Sequence, residues 1–86
     1  MTAARILVAD DEDSLRWVLE RGLRQAGYDV AAVKDGQSAI QAFEREPFDL
    51  VFLDVRMPGL DGLSALARLR EIRADAQVVV MTAHGT

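Results

Sequence analysis

The sequence has 86 residues and no cysteine. Disulfides and thiolate metal sites are therefore excluded, and the redox compartment is left open. Basic residues are in the minority: ten Lys and Arg stand against fourteen Asp and Glu, a formal net charge of -4. Phosphate backbones select basic faces, so nucleic-acid binding by this segment is not expected. No apolar run approaches the ~20 residues of a membrane span. The start, Met1 to Arg5, leads into a short apolar run (Ile6 to Ala9) that acids close, so no signal peptide is expected. A cytoplasmic location is the default. Histidine occurs once, at His84. A nucleophile-activating role there would need a placed Ser or Cys, and a loop histidine is the simpler reading. Neither GxxxxGK nor GxGxxG is present, so Gly59 and Gly62 form no phosphate loop.

What is present is globular in character. Half the residues are hydrophobic and 28% are charged, in a length that allows one domain at most. Ile6-Leu7-Val8-Ala9 reads as a strand buried on both faces and closed by acids. Asp13 or a neighbouring acid can cap the helix that follows, whose apolar positions are Leu15, Val18, Leu19, Gly22, Leu23 and Ala26. Gly27 falls where a helix needs a left-handed terminator. Tyr28 to Val33 suits a second strand. Asp35-Gly36 opens a second helix with Ile40 and Phe43 inward, and Pro47 marks its end. Leu50-Val51-Phe52-Leu53 is a third buried strand, ending at Asp54. Met57-Pro58-Gly59 is a loop, and Asp61 caps a third helix through Leu63, Leu66, Leu69 and Ile72. Val78 to Met81 is a fourth buried strand. This alternation predicts an α/β fold, a parallel sheet flanked by helices and joined by right-handed crossovers.

In open parallel sheets, ligands sit beyond the carboxyl ends of the strands. The first strand ends in Asp10-Asp11-Glu12, the third in Asp54 and the fourth in Thr82. If the first and third strands are neighbours, their acids converge. Carboxylates so close repel, and the repulsion raises the proton affinity of at least one. A hard divalent cation such as Mg2+ relieves it, using carboxylates alongside phosphate oxygens. An aspartate beside that ion can attack phosphorus and carry an acyl phosphate, and the Thr82 hydroxyl can then hydrogen-bond a phosphoryl oxygen. Bland readings stand beside this one. Asp10 to Asp13 also suit a simple helix start, where acids favour the dipole, and Asp54 also suits a turn.

Three stretches carry a resemblance: Ile6 to Glu12, Asp49 to Gly62 and Val80 to Ala83. Together they closely resemble the receiver domains of bacterial two-component response regulators. Ser14 to Arg21 and Met81 to His84 look most like the NtrC class of transcriptional activators. The resemblance implies a flavodoxin-like (CheY-like) doubly wound parallel sheet, here with four strands and three helices. It places Asp54 as phosphoacceptor, Asp11 as direct magnesium ligand and Asp10 as its partner, often acting through water. It gives the Arg56 main-chain carbonyl as a further ligand and Thr82 as the switch hydroxyl. The donor would be a phosphohistidine on a sensor histidine kinase. Family members carry a further helix, a fifth strand ending in Lys-Pro and a last helix, so residues 1–86 are expected to form a partial receiver domain. An effector domain, a DNA-binding ATPase activator in the NtrC class, is expected elsewhere. Without the fifth strand, Val78 to Met81 becomes an apolar edge, and self-association is expected.

Two rival functions fit the sequence less well. A magnesium-dependent aspartyl phosphatase or phosphotransferase would want a second acid two residues after the nucleophile, where this chain has Arg56. A flavin- or nucleotide-binding module would want a Ser/Thr/Gly-rich loop after the first strand, where this chain has acids. Arg16 with Glu20, and Glu20 with Arg24, are spaced as ordinary surface pairs. Trp17 reads as a partly buried helix-shoulder residue.

Overall fold

A computed structural model of the chain describes residues 3–55 and 62–81. Seven elements alternate: β1 (Arg5–Ala9), α1 (Asp13–Gln25), β2 (Asp29–Val33), α2 (Gly36–Arg45), β3 (Leu50–Asp54), α3 (Gly62–Ile72) and β4 (Val78–Met81). The four strands are parallel, as the alternation predicts, and they lie in the order β2-β1-β3-β4. Parallel neighbours cannot be joined by a tight turn, so each connection crosses a face of the sheet as a helix.

Both faces of β1 are covered, and the strand's period of two sorts its side chains between them. Leu7 and Ala9 join Ile40, Phe43, Val51, Leu53, Ala65 and Leu69 in the larger core, under α2 and α3. Ile6 and Val8 join Val30 on the opposite face, with Leu19 and Leu23 of α1 packed against them. A strand buried on both sides has no polar position to spare, which is why β1 reads as an unbroken apolar run.

Local chemistry fixes the helix ends. Asp35 caps α2, its side chain accepting from the Ser38 N–H at 2.7 Å. Gly27 takes φ 100, which a residue with a Cβ rarely adopts. There the Gly27 N–H donates to Arg24 O and the Tyr28 N–H to Leu23 O, the double closure of a Schellman motif. The acid cap expected for α1 is not made. Glu12 stands at its N-cap without a side-chain hydrogen bond, and Asp13 pairs with Arg16 instead. The cap expected from Asp61 for α3 lies outside the described residues.

Burial departs from the periodic pattern at three places. No residue of α1 is fully buried: Val18 is 57% exposed and Trp17 58%, with the Arg21 guanidinium over the Trp17 ring. Leu63, at the start of α3, is 66% exposed, while the unremarked Ala65 is fully buried. Val79 and Val80 of β4 are exposed, because β4 has only one strand neighbour among the described residues.

Candidate metal centre at the carboxyl ends of the sheet

The site is built by register. β1 pairs with β3 from Ile6↔Leu50 to Ala9↔Leu53. One step further along both strands lie Asp10 and Asp54, which the chain separates by two crossovers. Asp11 follows on the same corner. One carboxylate oxygen from each of Asp10, Asp11 and Asp54 lies within 4.8 Å of the others. Acids on a protein surface are common without a ligand, but these are not all surface acids. Asp10 is 0% exposed and Asp54 1%, whereas Asp11 is open to solvent.

Asp10 is held at three of its four polar groups. Its N–H donates to Val33 O of β2 at 3.1 Å. Its carbonyl accepts from the Arg16 guanidinium at 2.8 Å. Its Oδ1 accepts from the Glu12 N–H at 2.8 Å. The remaining oxygen, Oδ2, is buried without a donor among the described residues. A carboxylate in that state is costly, and burial pushes the Asp10 carboxyl above the usual range. The Glu12 amide pulls the other way, while the charges of Asp54 and Asp11 add to the rise. Asp10 and Asp54 can share a hydrogen bond only if one is protonated; with both ionised they need a cation between them.

The set fits a hard divalent ion. All donors are oxygens, three negative charges converge, and the orphaned Oδ2 of Asp10 lacks only a positive partner. Of the expected site residues, the fold brings together Asp10, Asp11 and Asp54. The Arg56 carbonyl and Thr82 lie outside the described residues, as does His84. β3 and β4 do run in register to Asp54↔Met81, and the Val55 N–H donates to Met81 O at 3.2 Å.

Sequence reasoning missed two supports of this corner. Arg16 does not form a surface pair with Glu20; it reaches back over the β1–α1 turn to Asp10 and Asp13. Among the described residues Glu20 pairs with Arg24, at 2.9 Å. Gly62, dismissed because it forms no phosphate loop, is a packing glycine directly under the end of β3.

A cluster of acids at the carboxyl ends of the central strands of a doubly wound parallel sheet lies where α/β domains of this class bind their ligands. The family model of the response regulator receiver domain matches residues 6–86, and the chain belongs to that family. It is 38% identical over 79 residues to the DNA-binding transcriptional regulator NtrC of Escherichia coli (strain K12), covering 92% of this chain and 17% of that regulator. The chain thus spans about a sixth of that relative's length. The response regulator TrrA of Thermotoga maritima, solved in complex with Mg(2+)-BeF, superposes with a TM-score of 0.90 at 36% identity. That match covers 95% of this chain and 71% of the other. TrrA in complex with the histidine kinase ThkA matches at a TM-score of 0.89 and 36% identity, covering 96% and 72%.

Proposed function

We propose that this receiver domain accepts a phosphoryl group on Asp54 from a phosphohistidine of a sensor histidine kinase. An Asp54 carboxylate oxygen attacks phosphorus, the P–N bond to the histidine breaks, and the electron pair leaves on the imidazole, which takes up a proton. The product is an acyl phosphate on Asp54. Asp10, Asp11, Asp54 and the main-chain carbonyl of Arg56 would hold Mg2+, which would neutralise charge on the transferred group. Asp54, at the end of the central strand β3, supplies the attacking carboxylate. Asp10 and Asp11 supply the charge that draws the cation in, and Thr82 offers its hydroxyl to a phosphoryl oxygen. The observation that carries this reading is the buried, donorless Oδ2 of Asp10 beside a buried Asp54.

The domain acts as a switch rather than a turnover enzyme, and residues 1–86 form the phosphoacceptor portion of a longer cytoplasmic regulator. No helix among the described residues is long and apolar enough to cross a membrane. The likeness to the DNA-binding transcriptional regulator NtrC supports a DNA-binding effector that acts on transcription. The kinase complex of TrrA supports a histidine kinase as the partner. The exposed apolar edge at Val79 and Val80 of β4 supports pairing between copies of the 86-residue chain, which sedimentation at micromolar concentration tests.

Mass spectrometry after treatment with a small-molecule phosphodonor and Mg2+ tests the reading. One labile phosphoryl group is expected on the wild type and none on Asp54→Asn. Stable phosphorylation of Ser14, Ser38 or Thr82 in its place would overturn the assignment.

A further inference from the structure

We infer that Arg16 is a positioning residue for the metal site, holding the β1–α1 corner so that the free oxygen of Asp10 faces Asp54. The inference rests on the magnesium reading above. The corner has to turn sharply, because Ala9 ends a buried strand and Asp13 already begins a helix. Backbone hydrogen bonding alone does not fix it. Asp10 is tied to the sheet through its N–H, and its Oδ1 is tied to the next turn through Glu12. Its carbonyl points out of both systems, and the acceptor is satisfied by one side chain, Arg16.

The guanidinium suits that task through its fork. One Nη donates to the Asp10 carbonyl at 2.8 Å while the other pairs with the Asp13 carboxylate. The Arg16 N–H itself donates to Glu12 O at 3.0 Å, so the clamp stands on the first turn of α1. A planar fork fixes two acceptors relative to each other, which a single ammonium cannot do. With the carbonyl, N–H and Oδ1 of Asp10 all held, its carboxylate has little freedom to turn, and one of its oxygens stays within 4.8 Å of oxygens of Asp11 and Asp54. Arg16 contacts the main chain of Asp10 rather than its carboxylate, so it orients the ligand without neutralising it.

Charge and position make opposite predictions here. Arg16 is a cation close to a cation site, so on Coulomb grounds alone its removal tightens Mg2+ binding. If it positions Asp10, removal weakens binding, as loss of supports behind metal ligands does. Isothermal titration of the protein with MgCl2 separates the two, for wild type, Arg16→Met and Arg16→Lys. Methionine keeps much of the apolar stem without a donor, and lysine keeps the charge without the fork. Thermal unfolding in EDTA accompanies each as a control on folding.

The expected result is Mg2+ affinity about tenfold lower for Arg16→Met and an intermediate loss for Arg16→Lys. Equal or tighter binding by Arg16→Met overturns the inference while leaving the metal site intact. If Arg16→Met does not fold, Arg16→Lys decides: affinity equal to wild type overturns the inference, and a loss supports it. Absence of Mg2+ binding by the wild type would overturn the magnesium reading, and this inference with it.

Discussion

Gly62 lies so close beneath Val55 that a Cβ at position 62 would sit 2.2 Å from the Val55 Cα and 2.9 Å from the Asp54 carbonyl oxygen. The Gly62 N–H also donates to Val55 O at 3.3 Å. The first turn of α3 is thus pressed against the end of β3, the segment that carries Asp54, the proposed phosphoacceptor. The atoms in the way are backbone, so they cannot swing aside as a flexible side chain would. Gly62→Ala is expected to lower stability by about 1–3 kcal/mol and to cut phosphoryl acceptance by Asp54. Urea unfolding and the phosphodonor assay check the two effects; an unchanged midpoint with full acceptance would show that the strand end yields freely.

The same substitution in α1 has the opposite sign. Gly22 stands mid-helix and exposed, without positive φ, and a Cβ there would meet nothing within 4 Å. Alanine removes backbone freedom from the unfolded chain and adds no clash. Gly22→Ala is expected to raise stability by about 0.5–1 kcal/mol. Chemical denaturation measures this directly, and a loss of stability would point to a partner packed on that face.

Asp10 sets stability against function. Its carboxylate is fully buried with one oxygen lacking a donor, and burial raises its pKa. Asparagine keeps an acceptor for the Glu12 N–H and removes the charge. Asp10→Asn is therefore expected to stabilise the metal-free protein by about 1–3 kcal/mol while reducing Mg2+ affinity by about tenfold or more. Unfolding in EDTA together with Mg2+ titration tests the pair of effects. A destabilised apo variant would count against the reading of Asp10 as a strained ligand.

Asp35 gives the fold an acid-sensitive joint. The Ser38 N–H, donating to its carboxylate, holds the Asp35 carboxyl below the ordinary carboxylate range, with Lys34 adding to the effect. A depressed folded pKa means the unfolded chain binds the proton more readily. The stabilisation is therefore present above the unfolded value of ~3.9 and is lost as pH falls through the lower folded one. Asp35→Asn keeps a cap but does not titrate. The stability difference between wild type and this variant is expected to shrink as pH drops from 6 toward ~3. Urea titrations across that range check it, and a pH-independent difference would remove Asp35 as the source.

Much of the fold was legible in the sequence because its signals are local. Continuous apolar runs closed by acids marked β1 and β3, Gly27 and Asp35 marked helix ends, and each of the four strands matched its expected segment to within one residue at either end. The acids themselves were legible too, since carboxylates rarely close buried strands without a reason. Their meeting was conditional on strand order, which is a long-range property; the pairing of β1 with β3 made it real. Helical spacing put Val18 and Leu63 on apolar stripes, yet both are exposed. Periodicity reports which residues share a face and says nothing of whether another element covers it.

Chemistry at the site followed the same division. Residue type at the strand ends determined that this corner would be acidic and oxygen-rich, because those side chains admit no other reading of their charge. Which acids are buried, and which oxygen of Asp10 stays free, was decided only when the β1–α1 corner closed. Arg16 is spaced from Glu20 as a surface pair, but Asp10 and Asp13 offer it two acceptors at the corner, and the fold turned it inward. In sequence Gly62 stood out only as forming no phosphate loop, since nothing local demands the absence of a side chain there. Only the approach of α3 to the backbone of Asp54 and Val55 leaves no volume for a Cβ.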